Sequence, residues 1–142
     1  VRKAGLGLLM SVKGDLKPLP FVEDTAVSPE RLPEYIRRFE EIVRANNAPL
    51  AYYGHASVGC IHLRPMINIK DQEGLDRLVS IASAVSDLVL EFGGALSGEH
   101  GDGLVRGVFT EKMFGSRLYN AFREVKRSFD PKGIMNPKKI FI

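Results

Sequence analysis

The sequence predicts an α+β fold, on the strength of three observations. Extended and helical segments follow one another in the order strand, helix, strand, strand, helix, strand between residues 21 and 97. Apolar residues recur every three or four positions over 32–43 and 75–92, as in helices buried on one side. Gly, Pro and Asn separate the segments. The order is typical of the ferredoxin-like βαββαβ arrangement, which predicts one antiparallel sheet with both helices on one face.

The elements of the first third follow from local signals. Residues 6–12 are mostly apolar, so we expect a strand there, and residues 21–27 form a second extended segment. Ser28 followed by Pro29 is typical of a helix start. Pro33 indicates that regular helix begins only near that residue.

The middle of the chain predicts a hairpin. Segments 50–53 and 60–69 have strand character and flank a glycine-containing loop. Pro65 removes a backbone donor, so we expect it at a sheet edge or bulge. Residues 95–97 are the last predicted strand.

Two further helices complete the prediction. Asp71 is placed to cap the helix over 75–92, and Gly93 to end it. A C-terminal helix begins near Thr110, is interrupted near Gly115, and is followed by an irregular tail over 132–142. The residues expected to form its buried stripe are Leu118, Phe122, Val125 and Phe129.

Length and composition limit the class of protein. The 142 residues fit a single domain spanning 1–142, and 44% apolar with 26% charged residues is typical of a soluble globular chain. The formal charge of +3 is spread along the chain, so nucleic-acid binding is not expected. The single cysteine, Cys60, excludes an internal disulfide and fits a reducing, cytoplasmic compartment. No signal peptide or membrane span is visible, and the start at Val1 suggests the C-terminal portion of a longer protein.

Histidine is concentrated in two short, glycine-rich windows. His55 and His62 bracket the predicted hairpin turn, and His100 follows Glu99 inside the run SGEHGDG at 97–103. Strand ends joined by a short turn can face each other. The three histidines therefore indicate a functional site.

The side-chain chemistry of these windows suits a divalent metal. Imidazole and carboxylate are ordinary zinc ligands, and His55, His62 and Glu99 would form a set that leaves positions open for substrate or water. His100 could then act as a general base, because imidazole titrates near neutral pH.

Each assignment has a simpler alternative. The histidines could be packed core residues, and Asp102 could be either a second partner of the site or a turn residue. Cys60 fits a small buried hydrophobe or a ligand. Arg64 could bind a carboxylate or face solvent. Asn136 could contact a ligand or cap the turn before Pro137.

These motifs resemble the C-terminal domain of FAD-linked oxidases, in the vanillyl-alcohol-oxidase superfamily. The resemblance rests on 54–65, 97–103 and the tail 129–137, and residues 23–27 are similar to the segment that opens this domain. It covers nearly the whole chain and points to the group of glycolate oxidase FAD subunits, D-lactate dehydrogenases and D-2-hydroxyglutarate dehydrogenases.

The resemblance implies an enzyme that oxidises a D-2-hydroxy acid to the 2-oxo acid by hydride transfer to FAD. FAD would be bound mainly by an N-terminal domain that this chain lacks, and this domain would supply the substrate site. His55, His62 and Glu99 would hold zinc or a similar ion, and His100 would take the hydroxyl proton. Asn136 falls where the family's tail returns toward the flavin.

One departure separates this chain from many members. Where they have Gly-Asp-Gly-Asn between the two histidines, this chain has SVGC at 57–60, so the substrate contacts are not predicted there. The variant resembles long chains fused to iron–sulfur oxidoreductase modules. Expected partners are then the FAD domain, a 2-hydroxy acid and an iron–sulfur module, with a homodimer left open. A partner that accepts the electrons could also place the protein peripherally at the inner membrane.

Two other functions stay open on the sequence. A ferredoxin-like domain can serve as a non-catalytic ligand-binding or dimerisation module, in which case the histidines are structural. A zinc hydrolase would need an oxyanion-stabilising group, which the sequence does not identify.

Overall fold

The computed structural model describes residues 7–141. The chain divides into two compact units, Val1–Gly98 and Glu99–Ile142. Compactness alone does not test independent folding, so the single domain over 1–142 stays a prediction.

The strands of the first unit are short and pair antiparallel throughout. They form two three-stranded groups, in the orders β1-β6-β3 and β2-β5-β4. In addition, Ala26 and Ala95 form an isolated antiparallel bridge. The strands are β1 (Lys17–Pro18), β2 (Thr25–Ala26), β3 (Leu50–Ala51), β4 (Gly54–His55), β5 (Cys60–Ile61) and β6 (Arg64–Ile67).

Two helices supply half of the buried apolar residues described in this unit. A 3₁₀ turn at Pro29–Arg31 leads into α1 (Leu32–Ala45), and α2 spans Gln72–Glu91. The start of α1 immediately before Pro33 agrees with the prediction, because proline fits the first turn of a helix. The helices bury apolar residues at three- and four-residue spacing, which are Tyr35, Phe39 and Val43 on α1 and Ile81, Val85 and Val89 on α2.

Both ends of α2 are fixed as the sequence predicts. The side chain of Asp71 accepts a hydrogen bond from the Gly74 amide at 2.7 Å. At the other end, Gly93 has a φ of 64°, and the Gly93 and Gly94 amides donate to the carbonyls of Leu90 and Val89. This is a Schellman motif, which satisfies the last carbonyls of the helix.

The second unit consists of a short helix, α3 (Gly103–Gly107), a longer one, α4 (Thr110–Phe129), and the tail. The predicted interruption of α4 is confirmed at Gly115, which has φ 75° and ψ 159°. The predicted buried stripe is wrong, since Val125 is 58% exposed and Phe129 79%. The described part of this unit contains no strand, so α4 has no sheet of its own unit against which to bury that face.

Two local strand predictions are also wrong. Residues 7–10 are helical rather than extended, since an apolar run without strict alternation fits either structure. Pro65 lies in β6, the central strand of its group, rather than at an edge. The Pro65 carbonyl accepts from the amide of Leu19, the residue that follows β1. The donor that proline lacks would point to the same side, where β1 has ended, so no hydrogen bond within β1 is lost.

The α+β class is confirmed, whereas the ferredoxin-like topology is not. A single four-stranded sheet was expected, but the pairing falls into two groups, and the last predicted strand contributes one bridge. Within residues 7–141, no helix combines the length and apolar character needed to cross a membrane.

Candidate functional site

The hairpin of β4 and β5 brings two of the three histidines together. His55 pairs with Cys60 across the hairpin, and a 3₁₀ turn at Ala56–Val58 connects the strands. The rings of His55 and His62 stand edge to face, with centroids 5.2 Å apart. The predicted proximity of the two imidazoles is therefore confirmed.

Gly59 makes the connection of this hairpin feasible. Its φ is 70°, and a Cβ at this position would lie 1.8 Å from the carbonyl oxygen of Val27. The Val27 amide in turn donates to the Gly59 carbonyl at 3.1 Å. Only glycine accommodates both the left-handed backbone and this close approach.

His62 is held firmly inside the first unit. It is 2% exposed, and its ring stacks on Tyr53 with a centroid distance of 5.3 Å and an interplanar angle of 20°. Its backbone amide donates to the Tyr53 carbonyl at 2.7 Å. Tyr53 also contacts His55 edge to face, so one tyrosine packs against both imidazoles.

Glu23 is a buried carboxylate beside this pair. Arg64 donates to its Oε2 through both Nε, at 3.0 Å, and Nη2, at 2.8 Å. The same oxygen lies 3.7 Å from Nδ1 of His62. One carboxylate thus faces both a permanent cation and an imidazole of the predicted metal set.

Asp24 is fully buried and connects the hairpin with the end of the first unit. It accepts from the Ser97 hydroxyl at 3.0 Å and from the Cys60 thiol at 3.6 Å. Its carbonyl accepts from the Gly98 amide at 2.7 Å, and its φ is 78°. Asp24 therefore holds Ser97 and Gly98, the last two residues of the first unit.

In the second unit, Glu99 and His100 are exposed neighbours. Nε2 of His100 lies 3.4 Å from Oε1 of Glu99. The glycine-rich loop after them is held by Arg106, whose guanidinium donates to the Gly101 carbonyl and whose amide donates to that of Asp102.

The tail that carries Asn136 is organised by Asp130. The carboxylate of Asp130 accepts from the Ile134 and Met135 amides, both at 2.9 Å, and from Nζ of Lys126 at 2.6 Å. The hydrogen bond from Lys126 lowers the pKa of Asp130 below its usual range, and the two amides act in the same direction. Asn136 follows with a φ of 45°, a backbone conformation that asparagine tolerates better than most residues.

Sequence reasoning missed Glu23 and Asp24 as parts of the site. The available signal was an acidic pair inside the otherwise apolar extended segment 21–27. Charged residues in such a segment are rarely buried unless they are paired. Cys60 is buried, as expected of a small hydrophobe, but its thiol also donates to Asp24.

The distance between the ring centroids of His55 and His62 fits two ligands of one divalent ion. With zinc–nitrogen distances of about 2.1 Å, ring centroids lie about 3.2 Å from the ion, so two such ligands at about 90–110° have centroids about 4.5–5.2 Å apart. The observed 5.2 Å lies within this interval. Imidazole nitrogen is also a donor that zinc and similar ions favour.

A cavity of about 450 Å³ lies elsewhere in the first unit, between the C-terminal half of α1 and β3. Its lining includes Glu40, Arg44 and Tyr52, and none of the predicted site residues. The cavity therefore gives no support to the assignment of those residues to a binding site.

Comparison with known proteins identifies the family. The profile described as FAD linked oxidases, C-terminal domain, matches residues 1–140. The chain belongs to this family. It is 41% identical over 140 residues to a D-2-hydroxyglutarate dehydrogenase of Haemophilus influenzae, with 99% of this chain and 14% of the relative covered. A protein of the same name from Escherichia coli is 38% identical over the same shares.

A D-lactate dehydrogenase of Archaeoglobus fulgidus is 33% identical over 132 residues, which is 92% of this chain and 29% of that protein. The chain spans about a seventh of the two hydroxyglutarate dehydrogenases. This FAD-linked oxidoreductase domain is thus only part of the architecture found in its relatives.

Proposed function

We propose that this domain is the substrate- and metal-binding half of a flavin-dependent dehydrogenase that oxidises a D-2-hydroxy acid to the 2-oxo acid. The observation that carries the proposal is the packing of His55 against His62, with ring centroids 5.2 Å apart, in a chain of the FAD-linked oxidase family. The names of its relatives, D-2-hydroxyglutarate and D-lactate dehydrogenase, support this substrate class.

The proposed ligands of a divalent ion, zinc being the expected one, are His55, His62 and Glu99. Such an ion, when bound, supplies Lewis-acid stabilisation of the substrate's hydroxyl and carboxylate oxygens. FAD, held mainly by a separate N-terminal domain, supplies the acceptor for the hydride from the α-carbon. His100 takes the hydroxyl proton, so that one proton and one hydride leave the substrate together.

Two further residues are proposed to contact the substrate and the flavin. Arg64 engages Glu23 through Nε and Nη2, which leaves Nη1 as the nitrogen to meet a substrate carboxylate. Asn136, placed by the tail that Asp130 holds, is proposed to contact the flavin.

We also propose the ferredoxin-like arrangement for the first unit. The antiparallel pairs Ala26–Ala95, Thr25–Ile61 and Gly54–Ile61 support the strand order of that fold, with 25–26 and 60–61 in the centre. The strands are too short for the pairing to form a continuous ladder.

The parent protein is proposed to carry iron–sulfur modules that take electrons from the flavin. Since 140 matched residues are 14% of the Haemophilus relative, that relative is about 1,000 residues long, which is room for several further domains. The proposed partners of this chain are therefore an FAD domain and an electron-transfer module. Cytoplasmic placement, with peripheral membrane association through the electron acceptor, is part of the same proposal.

The test is His100→Ala in the full-length protein. Turnover of D-2-hydroxyglutarate or D-lactate is expected to fall about 10²–10⁴-fold, the usual worth of a general base. The flavin absorption spectrum and zinc affinity should be retained, because His100 is not among the proposed ligands. His55→Ala should instead weaken zinc binding, measured by isothermal titration. Undiminished turnover of His100→Ala would instead favour a non-catalytic module.

A further inference from the structure

Glu23 is the starting point, because its carboxylate is buried in the first unit and held there by Arg64. Glu23 is 5% exposed, and Arg64 donates two hydrogen bonds to its Oε2. A guanidinium can only donate hydrogen bonds, so Oε2 of Glu23 is an acceptor in both contacts. The same oxygen therefore presents an acceptor to any further neighbour.

That carboxylate faces one particular nitrogen of the predicted metal ligand. Oε2 of Glu23 lies 3.7 Å from Nδ1 of His62, which is within ion-pair distance, so the carboxylate acceptor faces this nitrogen. Because the carboxylate only accepts, it favours the imidazole tautomer with the proton on Nδ1. Nε2 then carries the lone pair that a metal ion needs.

We propose that Glu23 is a positioning residue, which sets the tautomer and ring orientation of His62 so that Nε2 binds the metal. The inference rests on the metal role proposed above for His62. Arg64 keeps the carboxylate in place, and the stacked ring of Tyr53 limits how far the imidazole can turn. Carboxylates that orient ligand histidines in this way raise the basicity of the ligand atom.

The experiment measures metal affinity rather than turnover. Full-length Glu23→Gln retains the size of the side chain but removes its charge, and a competing chromophoric chelator reports the zinc Kd. The affinity is expected to fall about 10–100-fold, as found for such orienting partners. Replacing zinc by cobalt should also give a changed visible absorption spectrum in the variant, because the ligand geometry has shifted.

Two control variants separate positioning from general effects. Glu91→Gln removes a carboxylate that pairs with Arg38 on the surface of the same unit, and should leave the zinc affinity unchanged. Val43→Ala removes buried methyl groups from the α1 core and lowers stability without touching Glu23. If Val43→Ala loses zinc affinity to the same extent as Glu23→Gln, the effect is structural and the inference is overturned.

The remaining outcomes are also decisive. Wild-type protein that binds no zinc would remove the proposed metal function, and this inference with it. Wild-type protein that binds zinc while Glu23→Gln binds it equally well would overturn the inference alone. If Glu23→Gln fails to fold, Glu23→Asp keeps the charge that Arg64 requires but withdraws it from His62 by one methylene. Full zinc affinity in that variant would likewise overturn the inference.

Discussion

At the residue scale, two buried acids of the first unit depend on partners that are distant in sequence. Glu23 meets Arg64, 41 residues away, and Asp24 meets Ser97, 73 residues away. Both acids are buried. Burying either acid would be costly without these partners, because a buried polar group loses its hydrogen bonds to water.

Gly59 gives the sharpest prediction of stability at this scale. Gly59→Ala should cost about 3 kcal/mol or more, because a left-handed alanine adds strain of about 1–2 kcal/mol and its Cβ would collide with the Val27 carbonyl. Gly93→Ala is the matched control, since it has a similar φ of 64° and no atom within 4 Å of the added Cβ. It should cost only about 1 kcal/mol.

The measurement is the free energy of unfolding of both variants, with zinc affinity alongside. Gly59→Ala should also weaken zinc binding, because it disturbs the hairpin that pairs His55 with His62. Equal destabilisation by the two substitutions would show that the contact with Val27 is not tight.

Asp130 gives a prediction of pH dependence. Its pKa is lowered in the folded protein, chiefly by the hydrogen bond from Lys126. Its stabilising contribution is therefore complete above the unfolded pKa of aspartate, roughly 3.9, and is lost as the pH falls through the lower folded pKa. Asp130→Asn should loosen the tail at pH 6, and the difference from wild type should shrink below about pH 4.

Hydrogen exchange at the Ile134 and Met135 amides is the direct measurement, because both donate to Asp130. Protection factors, corrected for the intrinsic exchange rate at each pH, should fall in Asp130→Asn at pH 6. An unchanged difference between the two proteins from pH 6 to pH 3 would contradict the assignment.

At the scale of elements, the helices follow their local signals closely. α1 begins where proline predicts. α2 begins at the Asp71 cap and ends before the paired glycines. The strands of two to four residues follow such signals poorly, because pairing depends on a partner elsewhere in the chain. α4 shows the limit of periodicity, since its apolar stripe predicts a buried face that its own unit does not provide.

The α2 cap can be tested by itself. Asp71→Ala should lower the free energy of unfolding by about 1 kcal/mol, because the Gly74 amide loses its acceptor. Asp76→Ala is the control, as it removes an equal charge from an exposed position one turn into the helix. Denaturant unfolding compares the two variants. A loss that is no larger for Asp71→Ala than for Asp76→Ala would mean that the cap contributes nothing measurable.

At the scale of the whole molecule, the chain is one domain of a family whose relatives are several times longer. It spans about a seventh of the hydroxyglutarate dehydrogenases that it matches. The proposed hydride transfer would require a flavin as well as this domain, so the His100 and Glu23 experiments use the full-length protein. Zinc affinity separates what this domain does from what its partners do, since the proposed ligands all lie within it.

The sequence by itself determined the family, the helices α1, α2 and α4, the glycine-bounded turns and the pairing of His55 with His62, because these depend on residues a few positions apart. Only the tertiary structure decided that Glu23 and Asp24 are buried, that Arg64 holds Glu23, and that Pro65 lies in a central strand. Those facts depend on contacts between residues that are 40 or more positions apart or on strand order, and local patterns carry no information about them.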